Sequence, residues 1–201
     1  MKCYIVIGHY GSGKSEVAIN LAIHYKIKRI VDLDIVNPYF RLNDAYNVLE
    51  KNNIEVISSQ FAGTNADLPS LPHNINRVFD ANDDVVFDVG GDDVGARVLG
   101  RFREEFAKMN CQVMMVVNTR RPETSDANMI IKQANEIEAA CGLKISYLIN
   151  NTNLMNESTE KMLENSRLIF DEVPIPLLMT TTMIPNIPDT FLMKRYLTQA
   201  I

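Results

Sequence analysis

The stretch GHYGSGKS at residues 8–15 fits the pattern G-x-x-x-x-G-K-[ST], and its residue types suit the holding of a phosphate chain. Gly8, Gly11 and Gly13 let the backbone aim successive N–H groups inward. The main chain of Gly8, His9, Tyr10, Gly11, Ser12 and Gly13 is therefore expected to line a polyphosphate. Lys14 bridges the β- and γ-phosphates in this reading, the Ser15 hydroxyl ligates magnesium, and Glu16 completes the binding turn. A helix that opens near Gly13 adds its positive end to the same phosphates.

Turnover needs more than a phosphate cradle: it needs groups that hold the metal shell and orient a nucleophile. The run VVFDVGG at residues 85–91 ends an apolar strand in Asp88, followed by Gly90 and Gly91. Asp88 suits the magnesium shell, and the glycines let the backbone approach the γ-phosphate. A second pair, Asp32 and Asp34, stands two residues apart and so points to one side of an extended segment. Adjacent carboxylates repel unless a cation intervenes, and a magnesium–phosphate site provides one. Asp34 is assigned to the attacking water and to the metal site, with Asp32 supporting it from below. Asn37, Pro38, Tyr39, Phe40 and Arg41 follow directly, and Arg41 has the reach to meet a phosphate or an acidic partner.

These groups must be placed by strands. Seven short apolar runs begin at Cys3, Lys28, Ile54, Asp84, Cys111, Lys144 and Pro174. Most lack period-two alternation, as expected of strands covered on both faces of a parallel sheet. Helical periodicity lies between them: Val17, Leu21 and Tyr25 share one face, as do Ile130, Ala134, Ile137 and Cys141. Residues 122–141 read as one helix that starts at Pro122 and stops before Gly142. The expected fold is a three-layer α/β sandwich, with a mostly parallel sheet of about seven strands and helices on both faces. Residues 60–72 read as the longest loop, and the whole chain, residues 1–201, as a single nucleotide-binding domain.

Bulk composition narrows the classes. Hydrophobic residues make up 46% of 201, enough for a buried core, and the net charge of −5 gives no general attraction to nucleic acid or anionic lipid. No stretch approaches the length of a membrane helix, so a cytoplasmic location is expected. Cys3, Cys111 and Cys141 are odd in number, far apart and without a C-x-x-C pair, which suggests neither a disulfide nor a zinc site. His24 and His73 read as structural or surface groups, and Arg97, Arg101 and Arg103 as a solvated helix face. The C-terminal stretch at residues 191–201 reads as a helix packed on the sheet rather than a membrane tail.

On these motifs the chain resembles the MinD/ParA/CobQ-type P-loop ATPases, within the SIMIBI class that includes nitrogenase-iron-protein-like and metallochaperone NTPases. The resemblance is carried by GHYGSGKS (residues 8–15), DLDIVN (32–37), FDVGG (87–91), VVNTRRPETSDAN (116–128) and LINNTN (148–153). It implies slow ATP hydrolysis with Mg2+, a nucleotide-dependent switch acting on a protein partner, and coupling to dimerisation, so a homodimer is open. It also implies Lys14 and Asp34 as catalytic groups and Asn150 or Asn151 at the base. One departure is His9, which stands where many members carry a lysine that crosses the dimer to the partner's nucleotide. Arg120 and Arg121 sit at a strand end before Pro122 and do not read as an arginine-rich lid.

Base choice follows from amide chemistry. Guanine is commonly read by an aspartate that accepts from two neighbouring donors, and Asn153 stands in the matching stretch. An amide offers one acceptor beside its donors and fits adenine better, so ATP is favoured over GTP. Two other classes stay open. A small-molecule kinase would use Asp34 on an acceptor hydroxyl, and a regulatory module would bind nucleotide without turnover.

Overall fold

The computed structural model describes residues 2–34, 45–58, 75–81, 83–91 and 93–197. The segment at 37–41, the long loop at 60–72 and His73 lie outside the described residues.

The seven expected apolar runs each contain a strand: β1 (Cys3–Ile7), β2 (Arg29–Leu33), β3 (Glu55–Ile57), β4 (Val85–Val89), β5 (Gln112–Val117), β6 (Tyr147–Asn150) and β7 (Leu177–Thr182). An eighth, β8 (Thr190–Leu192), extends the sheet by one edge strand. The order is β3-β2-β4-β1-β5-β6-β7-β8, and every neighbouring pair is parallel. β8 is missed by sequence reasoning because three residues are too few to show a period.

Parallel strands need crossovers, and helices supply them on both faces. Successive strand residues point to opposite layers, as on β1, where Ile5 and Ile7 join one core and Val6 the other. The first core lies under α3 (Ile75–Asp80), α4 (Asp93–Arg101), α5 (Arg103–Lys108), α6 (Ala127–Cys141) and α7 (Glu160–Asp171). Phe79, Phe87, Phe102 and Phe106 cluster there, with ring centroids 4.9–6.5 Å apart. The second core lies under α1 (Lys14–His24) and α2 (Tyr46–Lys51), joined by Met193 and Leu197. This is the three-layer α/β sandwich expected, with eight strands among the described residues, all parallel, instead of about seven.

Local differences have local causes. The helix expected from Pro122 begins at Ala127, because the Asp126 side chain accepts from the Met129 N–H and caps it there; Pro122–Thr124 form a separate single turn. Ile130, Ala134, Ile137 and Cys141 are buried together as their spacing requires. Arg97, Arg101 and Arg103 are exposed. His24 packs edge-on against Tyr25 and Phe191, a structural role. Residues 193–197 form no helix; Met193 and Leu197 are buried while the main chain runs irregularly beside α1. No helix among the described residues is long and apolar enough to cross a membrane.

The absence of a disulfide expected from spacing is corrected. Cys3 is bonded to Cys111, with Cα atoms 4.5 Å apart. Strands β1 and β5 are neighbours, with Tyr4 opposite Gln112, so the residues one step back face each other. A separation of 108 residues along the chain hides this adjacency. Cys141 is a free, buried thiol, as a small core residue would be.

Candidate functional site

Because all eight strands run one way, their carboxyl ends open on one edge, and the residues singled out above gather there. β1 sits between β4 and β5, where the chain's connections diverge to either side of the sheet. Ligands bind such sheets in the crevice at this switch point. The loop at residues 8–13 leaves β1 here and enters α1, whose first turn closes with Val17 N–H donating to Gly13 at 3.0 Å.

Gly13 has φ 84°, and a Cβ on it would strike the Asn151 side-chain amide. That contact is a strut. Asn151 Nδ2 donates to the Ser12 carbonyl at 2.7 Å, and its Oδ1 accepts from the Thr181 hydroxyl at 2.6 Å. The phosphate loop is thereby tied to the ends of β6 and β7. Asn150 is fully buried; it donates to Ser166 at 2.8 Å and accepts from the Thr152 N–H, behind the cavity wall. Of the two asparagines expected at a base, Asn151 lines the cavity and Asn150 does not.

The charged centre is compact. Lys14 is 5% exposed, and its ammonium lies 3.1 Å from Asp34 Oδ2. Asp34 follows β2, and its N–H is fixed by Asp32 Oδ1 at 3.0 Å, the support from below that the spacing suggested. Asp32 is the register partner of Asp88 on β4, so two strand ends bring three carboxylates towards one lysine. Asp88 is 1% exposed. Burial pushes its carboxyl from 3.8 up to about 6, against the pull of the Lys14 ammonium and the Ser15 hydroxyl, while Asp34 adds to the rise.

Three buried side-chain atoms among the described residues have no hydrogen-bond partner, and two of them, Asp88 Oδ1 and Ser12 Oγ, belong to this site. Buried polar atoms are otherwise nearly always satisfied. A carboxylate oxygen and a serine hydroxyl are hard oxygen donors, and magnesium takes few protein ligands and keeps several waters. The unpartnered Asp88 oxygen, with the Ser15 hydroxyl bonded to the same carboxylate, fits that ion.

Beside the loop lies a cavity of about 550 Å³, in the size range of small-molecule sites. Gly11, Gly13, Lys14, Ser15 and Glu16 border one end, and the loop after β6 borders the other. Glu16 lines the cavity, but its carboxylate already accepts main-chain N–H groups of Tyr196 and Leu197. Burial raises its pKa in spite of those bonds. Tyr10 is 60% exposed at the rim. His9 faces away, with Nδ1 3.0 Å from the Tyr10 carbonyl and 3.9 Å from Glu123.

Two site residues escape sequence reasoning. Arg120 and Arg121, passed over as a strand end, line the cavity. Arg121 Nε donates to the Gly11 carbonyl at 3.1 Å, and the guanidinium occupies the space a Gly11 side chain would need. Asn118 aims the pair: its Oδ1 accepts from the Arg120 and Asn153 N–H groups, and its Nδ2 donates to the Asn153 carbonyl. The only signal in the chain is Gly11, a glycine at a position the motif leaves free.

Comparison with solved structures finds a similar fold in FtsY proteins, the signal recognition particle receptors. FtsY from Elizabethkingia anophelis aligns at a TM-score of 0.56 and 16% identity, over 96% of this chain and 61% of that one. The same receptor in complex with GDP aligns at 0.52 and 18%, over 90% and 57%. Chloroplast FtsY from Physcomitrella patens aligns at 0.55 and 16%, over 90% and 58%. The chain spans about three fifths of the length of these structures, and at such identity the likeness is one of fold. No family model and no curated protein sequence matches the chain. Fold and phosphate loop together define an α/β protein with a P-loop NTPase-like fold.

Proposed function

We propose that this protein binds Mg·ATP on residues 8–15 and hydrolyses it slowly, as a nucleotide-dependent switch acting on a protein partner. The observation that carries the reading is the buried constellation of Lys14, Asp34, Asp88 and Ser15 at the carboxyl edge of the sheet. When bound, magnesium would be held by Ser15 and Asp88 and would neutralise charge on the phosphates. Lys14 is paired with Asp34, so a γ-phosphate competes for the same ammonium. As Lys14 turns to the phosphate, Asp34 is relieved of its cation and can accept a hydrogen bond from water, orienting it for attack. Asp32, bonded to the Asp34 main chain, keeps that carboxylate in place. Arg120 and Arg121 add positive charge at the loop, where polyphosphate charge must be offset.

Adenine is the base we favour. Among the described residues, the acidic ones lining the cavity are Glu16, whose carboxylate is committed to residues 196 and 197, and the exposed Glu157. Asn153 presents an amide that already donates to the Asn151 carbonyl and accepts from Met155, in place of an aspartate suited to guanine. Kinship with the MinD/ParA/CobQ-type branch, the single-domain organisation, a cytoplasmic location and dimerisation belong to the same proposal. With His9 directed towards Glu123, a cation crossing a dimer would have to come from elsewhere.

Phosphate release from Mg·ATP without an added acceptor tests the reading, with GTP run alongside. Asp34→Ala is expected to keep or tighten nucleotide affinity, since it removes the competitor for Lys14, and to lower release by about 100-fold or more, the scale of a lost water-orienting base. Release that requires a hydroxyl-bearing metabolite would instead identify a small-molecule kinase. A preference for GTP would overturn the adenine assignment, and undiminished release from Asp34→Ala the role of that residue.

A further inference from the structure

One wall of the cavity is supplied by no strand. Residues 193–197 follow β8 and lie beside α1, and Met193, Arg195 and Leu197 line the cavity from that side. Two side chains one helical turn apart hold the segment. Glu16 accepts from the Tyr196 N–H with both oxygens at 3.0 Å and from the Leu197 N–H at 2.7 Å. Asn20 donates to the Lys194 carbonyl and accepts from the Lys194 N–H, both at 2.8 Å. It also donates to the Glu16 carbonyl at 2.8 Å, which links the two anchors. Met193 and Leu197 are 4% and 6% exposed and sink into the core under α1, so the segment is seated as well as tied.

Glu16 is the residue after Ser15, so the carboxylate that pins this wall and the hydroxyl that serves the phosphates share one helical turn. On the nucleotide reading, the phosphates would sit by Lys14 and Ser15. The rest of the lining includes Met193, Arg195 and Leu197 together with Asn151, Asn153 and Met155. Apolar side chains beside a guanidinium suit the faces of a heterocycle and the hydroxyls of a sugar.

We propose that residues 193–197 form the nucleoside-side wall of the site, and that Glu16 and Asn20 are positioning residues that hold it against the base and sugar. This rests on the nucleotide reading and deepens it. Glu16 serves nucleotide binding through the segment it holds rather than by touching phosphate. A bare polyphosphate needs the loop and not the wall; a nucleotide needs both.

The test titrates Mg·ATP and Mg·tripolyphosphate into the full chain and into Glu16→Ala, Glu16→Gln and Arg195→Ala. Loss of charge-assisted bonds in Glu16→Ala is expected to weaken Mg·ATP by about tenfold, with tripolyphosphate changed by less than about twofold. Glu16→Gln keeps one acceptor oxygen and is expected to recover part of the loss. Arg195 is exposed, so Arg195→Ala tests the wall without endangering the fold, and its Mg·ATP affinity is expected to fall several-fold. In turnover, KM for ATP rises in both alanine variants while kcat holds. Equal losses for the two ligands, or no loss for Mg·ATP in Arg195→Ala and Glu16→Ala, overturn the wall alone. Failure of the unaltered chain to bind either ligand overturns the nucleotide reading beneath it.

Discussion

A carboxylate buried to 1% exposure, with one oxygen unpartnered, costs the fold free energy until something binds it. Asp88 has a folded pKa near 6 against an ordinary 3.8, so the folded state holds its proton more tightly than the unfolded chain does. The sign follows: below pH 4 the residue is neutral in both states and costs nothing, and the cost grows from there to pH 6 and is complete above it. The difference corresponds to about 3 kcal/mol at most. In metal-free buffer, Asp88→Asn is therefore expected to be more stable than the unaltered chain at pH 8, by about 1–3 kcal/mol in urea unfolding, with the gap closing near pH 4. Equal stability at pH 8 would contradict a strained, ligand-ready carboxylate. That Lys14, Ser15, Asp34 and Asp88 lie together was legible in the sequence, because strand ends and a fixed motif spacing dictate their position. The strut made by Asn151 and the place of Arg121 were not: each is defined by what it touches across the sheet, Ser12 and Gly11, more than 100 residues away.

Elements carried a different kind of signal. Seven strands announce themselves by short, mostly apolar runs, and α6 by the period of Ile130, Ala134, Ile137 and Cys141. What periodicity cannot report is which strands are neighbours. That ordering pairs Cys3 with Cys111, closes a loop of 108 residues, and sets β8 on the edge. A cross-link over so long a loop stabilises by restricting the unfolded chain, by about 2–4 kcal/mol. Reduction with a thiol, or Cys111→Ser, is accordingly expected to lower the unfolding free energy by that amount, read as a lower urea midpoint. Mg·ATP affinity should be untouched, because the bond sits at the opposite end of β1 from the phosphate loop. An unchanged midpoint would mean that the two sulfurs are not bonded in solution, as a reducing compartment would favour. The expected C-terminal helix fails for a local reason: Glu16 and Asn20 capture the main-chain groups of residues 194, 196 and 197 that helical bonds would have used.

At the scale of the whole molecule, an all-parallel sheet converts order along the chain into convergence in space. β1 delivers the loop, β2 Asp34, β4 Asp88, β5 the two arginines, and β6 and β7 the struts that brace the loop from behind. The likeness to FtsY structures extends over nearly all of this chain and concerns this framework. Everything functional depends on whether the framework holds a polyphosphate. Calorimetric titration of Mg·ATP into the unaltered chain and into Lys14→Ala tests that most directly. The expected result is saturable one-to-one binding that weakens by about 100-fold or more once the buried ammonium is gone. Absence of binding, or equal affinity in both proteins, would contradict a phosphate site at the head of α1.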